Sequence, residues 1–159
     1  TERVKLAIFS ILKQDRVQSK KVLDLYACSG AFGIESISRG AAWVDFVEKD
    51  NKNCNLIGRN MEILGIRELG KVNRINCEKF LKRSDGGYDV IFLDPPYAIN
   101  NWDFVMRKVG KVGFLNKNGV VIAEHFRGVN LSETYGAIKC VDSRRYGDSN
   151  ISYYEAYIG

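Results

Sequence analysis

Proline occurs only twice in the 159 residues, histidine once and cysteine four times, and no apolar run approaches the roughly 20 residues that span a bilayer as a helix. Each scarcity removes a class of protein. Cys28, Cys54, Cys77 and Cys140 stand far apart with no C-x-x-C pair, which argues against a zinc site and a disulfide framework and leaves reduced thiols as the expectation. His125 has no cysteines at ligand spacing to complete a cluster, so it reads as a structural or rim histidine and no metal is expected. Also missing are the full G-x-G-x-x-G spacing and the Lys-Ser/Thr pair of a phosphate loop, which disfavours dinucleotide and triphosphate binding, and with them a nicotinamide dehydrogenase. The opening Thr1-Glu2-Arg3-Val4-Lys5 is not a secretory leader, so a cytoplasmic protein without membrane association is expected. On that ground Asn150-Ile151-Ser152 is read as a chance glycosylation sequon.

A chain of this length that is 45% hydrophobic is long enough for one core and too short for two, so residues 1–159 are expected to form a single domain and to act as a monomer. The net charge of +5 favours a polyanionic partner but lies within the range of ordinary soluble proteins.

The chain alternates strand and helix signals. Residues 3–14 place Val4, Ile8, Ile11 and Leu12 on one helical face. A buried strand at 21–26 leads through the small-residue turn Ala27-Cys28-Ser29-Gly30-Ala31-Phe32-Gly33 into a helix at 34–39, which Gly40 stops. A strand at 43–47 ends on Glu48, a helix runs over 50–64, a short strand over 72–75 and a short helix over 78–82. The apolar run Val90-Ile91-Phe92-Leu93 reads as a strand buried on both faces and must stop at Pro95-Pro96, which cannot donate to a sheet ladder. A helix at 102–109, a strand at 119–125 and strand-like runs near 137–143 and 151–157 complete the pattern. Repeated βα units followed by a hairpin imply a three-layer α/β sandwich of about seven strands, mostly parallel with an antiparallel pair at the end.

In such a sheet ligands bind at the carboxyl ends of the strands, which is where Asp94-Pro95-Pro96-Tyr97 and Glu48 fall. Glu48 follows Gly30 by 18 residues, the placement of an acid that accepts both hydroxyls of a ribose. Asn76 and Cys77, after the third strand, reach the same rim, where an amide and a backbone N–H suit an adenine edge. The Asp94 carboxylate and the Pro95 carbonyl form an acceptor pair for an exocyclic –NH2 group. Accepting its two N–H bonds directs the nitrogen lone pair at an electrophile, which is positioning and electrostatics rather than prior deprotonation. Tyr97 is placed to stack on the base. Arg144, Arg145 and Tyr146 near a hairpin tip suit phosphate and base contacts.

The segments Thr1-Glu2-Arg3-Val4-Lys5, Asp24-Leu25-Tyr26-Ala27-Cys28-Ser29-Gly30-Ala31-Phe32-Gly33, Asp94-Pro95-Pro96-Tyr97 and Arg144-Arg145-Tyr146-Gly147-Asp148 resemble, in order and spacing, the RsmD-type 16S ribosomal RNA guanine-N2 methyltransferases. The resemblance covers essentially the whole chain. It implies a class I, Rossmann-like methyltransferase fold, S-adenosylmethionine as donor, and N2-methylation of a guanine in 16S rRNA of an assembled or partly assembled small subunit. It further implies that Asp24, Ala27, Cys28, Ser29 and Gly30 serve the methionine end of the cofactor, Glu48 the ribose, and Asn76 and Cys77 the adenine, with Gly33 and Lys49 also among the cofactor-binding residues. Asp94, Pro95, Pro96 and Tyr97 go to the target amine and base, and Arg3, Arg144, Arg145 and Tyr146 to RNA. The chain departs from the family in having Cys28 where glycine is usual and in lacking the basic segment before the first helix; Asn76 stands where methyltransferases more commonly have Asp. Two alternatives stay open on the residues alone: an adenine-N6 DNA methyltransferase, which shares the Asp-Pro-Pro-Tyr chemistry, and a non-catalytic cofactor- or RNA-binding module.

Overall fold

In the computed structural model, which describes residues 2–157, the apolar runs become strands covered on both faces. Val22, Leu23 and Leu25 of β1 (Lys21–Leu25) and Val90, Ile91 and Leu93 of β4 (Tyr88–Leu93) are fully buried. Successive side chains point to opposite faces, so Val22, Val90 and Phe92 join one apolar layer while Leu23, Ile91 and Leu93 join the other. The first layer is roofed by α1 (Glu2–Leu12), α2 (Ala31–Ser38) and α3 (Asn51–Ile63), the second by α4 (Cys77–Arg83) and α5 (Trp102–Val109). Helix α1 forms because Val4, Ile8, Phe9 and Leu12 recur on one face and bury there, leaving Arg3 exposed.

The remaining strands are β2 (Trp43–Glu48), β3 (Gly70–Arg74), β5 (Leu115–Phe126), β6 (Thr134–Tyr135), β7 (Ile138–Tyr146) and β8 (Ser149–Ala156). The sheet order is β3-β2-β1-β4-β5-β8-β7-β6. Strands β1 to β5 pair in parallel, and β8 joins β5 and β7 in antiparallel fashion. The chain moves outward from β1 to β3 and then returns to the other side of β1, so the connections after β1 and β4 diverge and open a crevice at their carboxyl ends.

Several expected boundaries shift. The sheet has eight strands rather than about seven, because a two-residue β6 adds to its edge beside β7. Strand β5 starts at Leu115 rather than 119: the Asn116 side chain donates to Gly87 O at 3.1 Å and to Asp89 Oδ1 at 3.0 Å, holding the polar lead-in against β4. Helix α2 begins at Ala31 rather than 34, and β3 at Gly70 rather than 72. Thr1 of the opening motif and residues 158–159 of the expected domain lie outside the described residues. Among the described residues no helix is long and apolar enough to cross a membrane, and no group of three His, Cys, Asp or Glu side chains is arranged to hold a metal.

Candidate active site

The chain leaving β1 turns sharply through alternate left-handed residues, with φ of 58° at Tyr26, 52° at Cys28 and 79° at Gly30. Three contacts fix the turn: Ala27 N–H donates to Val47 O at 3.0 Å, Gly30 N–H to Ala27 O at 2.8 Å, and Cys28 N–H to Glu48 Oε1 at 2.9 Å. Gly33 N–H donates to the buried Asp24 carboxylate at 3.1 Å, and burial pushes that carboxyl well above the usual range. A Cβ at Gly33 would sit 2.3 Å from the Phe46 ring, so this glycine lets α2 lie tight on β2. Gly30 and Gly33 therefore shape the turn from behind and line neither cavity described below.

Cys28 holds a φ that costs a residue with a Cβ about 1–2 kcal/mol. Cys28→Gly removes that cost and gives back part of it through the freer unfolded chain. The expected net result is a thermal midpoint higher by about 2–3 °C in a melting experiment.

Glu48 ends β2 with 8% of its surface exposed. Its Oε1 takes the Cys28 N–H and its Oε2 takes the Asp50 N–H, both at 2.9 Å, so the carboxylate is fixed between two loops with one lone-pair position on each oxygen left over. Across β3, the Asn76 side-chain oxygen caps α4 by accepting from Lys79 N–H at 2.8 Å, which leaves its –NH2 for a ligand. Burial pushes the neighbouring Cys77 thiol up to about 12.

Asp94 stands where β4 ends. One side of it opens on solvent, yet the protein around the carboxyl desolvates it, and with the charge of Glu124 this pushes its pKa up to about 7. The Pro95 carbonyl accepts no hydrogen bond among the described residues, whereas the Pro96 carbonyl takes Ile99 N–H at 3.1 Å and folds the loop over. Tyr97 is 70% exposed and meets Phe126 edge to face at 5.4 Å. Beyond it, the Asn101 side chain donates to Glu78 Oε1, tying this loop to the start of α4.

Cys28, Glu48, Lys49, Asn76, Cys77 and the whole run Asp94–Tyr97 face one cleft of about 760 Å³. Asp24, Ala27 and Ser29 instead line an adjoining cavity of about 280 Å³ under α1, which also touches Cys28 and Asp94. Arg3, Arg144, Arg145 and Tyr146 line neither. Arg144 pairs with Asp142 at 3.1 Å and Arg145 donates to Gly147 O at 3.0 Å at the hairpin tip, while Tyr146 stands opposite Ser149, which reaches the cleft rim. Sequence reasoning passed over Tyr26, Glu78, Asn101, Trp102, Glu124 and Phe126, all in the cleft wall, and His125, which it took for a structural or rim residue. For Glu124 a signal was available: it ends its buried strand run as Asp94 ends its own.

The sequence model of the family described as Conserved hypothetical protein 95 matches residues 1–155. YlbH of Bacillus subtilis, provisionally named an rRNA methyltransferase, is 31% identical over 98% of this chain and 85% of its own length. Ribosomal RNA small subunit methyltransferase D of Escherichia coli is 32% identical over 78% of this chain, which spans 62% of that protein. Among solved structures, yhhF of Escherichia coli, provisionally described as a methyltransferase, superposes with a TM-score of 0.89 at 23% identity, covering 98% of this chain and 86% of its own. With the Asp-Pro-Pro-Tyr strand end and the Glu48 strand end on one cleft, and a match running from residue 1 to residue 155, the chain belongs to the Conserved hypothetical protein 95 family, the RsmD-type methyltransferases.

Proposed function

We propose that this chain transfers the methyl group of S-adenosylmethionine to the exocyclic N2 amine of a guanine in 16S rRNA, acting on a small ribosomal subunit or an assembly intermediate. One observation carries the reading: the Asp94 carboxylate and the free Pro95 carbonyl share a cleft with the doubly held Glu48, so acceptors for an amine and acceptors for a ribose face the same space. Names of relatives that give small-subunit rRNA as substrate support it.

The residues fit the donor. Glu48 keeps an acceptor position on each oxygen for the two ribose hydroxyls, Asn76 offers its –NH2 to the adenine, and the small turn at Ala27–Ser29 admits the methionine chain. S-adenosylmethionine, when bound, supplies a methyl group activated on a sulfonium. Asp94 and Pro95 accept the two N–H bonds of the target amine and turn its lone pair toward that carbon. Tyr97 and Phe126 give the flipped base an apolar wall. The new N–C bond would form as the methyl's bond to sulfur breaks and a neutral thioether departs; the nitrogen then becomes cationic, and Asp94, pushed up to about 7, is matched to take the proton it sheds. Arg144, Arg145 and Tyr146 at the tip of the β7–β8 hairpin, and Arg3 on α1, serve as RNA contacts.

Incubation with labelled S-adenosylmethionine and small subunits lacking the modification should place label in 16S rRNA, recovered after digestion as N2-methylguanosine by mass spectrometry. Label in DNA, or in N6-methyladenosine, overturns the reading.

A further inference from the structure

Near the carboxyl end of β5 (Leu115–Phe126), Glu124 follows the buried run at 120–123 as Asp94 follows the buried run of β4. The strands are parallel neighbours with Leu93 opposite Ala123, so Asp94, one residue past the end of β4, comes to lie beside Glu124, which is still inside β5 two residues before its end. Both line the main cleft and both line the smaller cavity. Among the described residues no hydrogen bond or ion pair engages the Glu124 side chain, although burial raises its carboxyl as it raises that of Asp94. The strand end itself is held still. His125 is buried, with Nε2 2.8 Å from Ser152 Oγ and Nδ1 3.1 Å from Phe126 O, and Phe126 packs against Tyr97.

A wall of two adjacent acceptors asks for a ligand edge with two adjacent donors. Guanine has one, its N1–H beside its N2 amine. Adenine and cytosine each set a ring lone pair beside their amine, so a carboxylate there would face lone pair against lone pair. We propose that Glu124 is the specificity-determining residue of the site, accepting the N1–H of the target guanine while Asp94 and the Pro95 carbonyl hold its N2 amine. The proposal rests on the guanine-N2 reading above and explains how the site takes guanine and not another amine-bearing base. A site built to pair a donor rejects an analogue lacking it by orders of magnitude, because a buried group is then left unpaired.

The test separates N1–H from the amine. Once the methylated guanine is mapped on wild-type reaction products, small-subunit particles are reconstituted on 16S rRNA carrying either guanine or 2-aminopurine at that position. 2-Aminopurine keeps the 2-amine but presents a lone pair at N1. The wild type should methylate guanine at least about 100-fold faster than 2-aminopurine. Glu124→Gln, whose amide can turn either its oxygen or its –NH2 to N1, should bring that ratio below about 10, with the dissociation constant for S-adenosylmethionine within about threefold of wild type. An unchanged ratio, including equal loss on both substrates, overturns the proposal. So does a loss of S-adenosylmethionine affinity that matches the loss of rate, which would assign Glu124 to the donor. A wild type that makes no N2-methylguanosine fails the underlying reading instead, and that result is read without the variant.

Discussion

Asp94→Asn is expected to slow methyl transfer by about 1,000-fold at saturating S-adenosylmethionine, with little change in the affinity for that donor. The amide oxygen still accepts an N–H but without the carboxylate's charge, and it cannot take the proton that leaves the methylated nitrogen; each loss is worth about 10- to 100-fold. Single-turnover rates with mapped rRNA, beside donor binding by calorimetry, check both halves. Stability moves the other way. The folded protein holds the Asp94 carboxyl at about 7, above the 3.9 or so of an unfolded chain, so the native state keeps its proton longer and loses stability as pH rises from about 4 through 7. At pH 8 the wild type carries that cost in full and the variant carries none. Asp94→Asn should therefore melt about 1–3 °C higher at pH 8, a small shift because one side of the carboxyl meets solvent, and the gain should vanish near pH 4. A variant that is inactive and also less stable at pH 8 would mean that Asp94 is a structural acid.

Glu48→Gln is expected to weaken S-adenosylmethionine binding by about 100-fold. In the wild type each carboxylate oxygen accepts a backbone N–H, from Cys28 and from Asp50. Glutamine has one acceptor, so its –NH2 must face one of those two N–H groups, and that loop end is pushed away at a cost of about 1–3 kcal/mol. The ribose meanwhile loses a charged acceptor for one hydroxyl. Calorimetry of donor binding measures the first effect and thermal melting the second, expected as a fall of several degrees. If affinity falls while the melting temperature holds, the two N–H contacts do not organise the turn. If melting falls while affinity holds, Glu48 is a structural brace rather than a ligand.

The parallel half of the sheet was legible because strands buried on both faces leave unbroken apolar runs such as Val90–Leu93, and because Pro95-Pro96 admits no continuation. The start of β5 was not, since Asn116-Lys117-Asn118-Gly119 has the composition of a turn; its pairing depends on Asn116 reaching Gly87 and Asp89, residues far away in the chain. In the site, Glu48 and Asp94 stood out as acids at strand ends. Glu124 offered the same signal after the buried run at 120–123, but its pairing with Asp94 depends on β5 lying next to β4 with Ala123 opposite Leu93, and register between strands leaves no trace in the order of residues. The packing role of Gly33 was hidden for a related reason: the Phe46 ring that leaves no room for a Cβ there belongs to the next strand.

Strand β8 comes last among the strands in sequence but sits between β5 and β7 in the sheet, making seven residue pairs with one and eight with the other. A nascent chain therefore completes Asp94, Glu48 and Glu124 long before it can cover the outer edge of the twelve-residue β5. Until β8 clears the exit tunnel, that edge is an open template for pairing with another chain, so synthesis leaves the parallel half of the sheet assembled and adhesive at once. Insertion of β8 between β5 and β7 is thus the step that joins the parallel strands to the antiparallel ones.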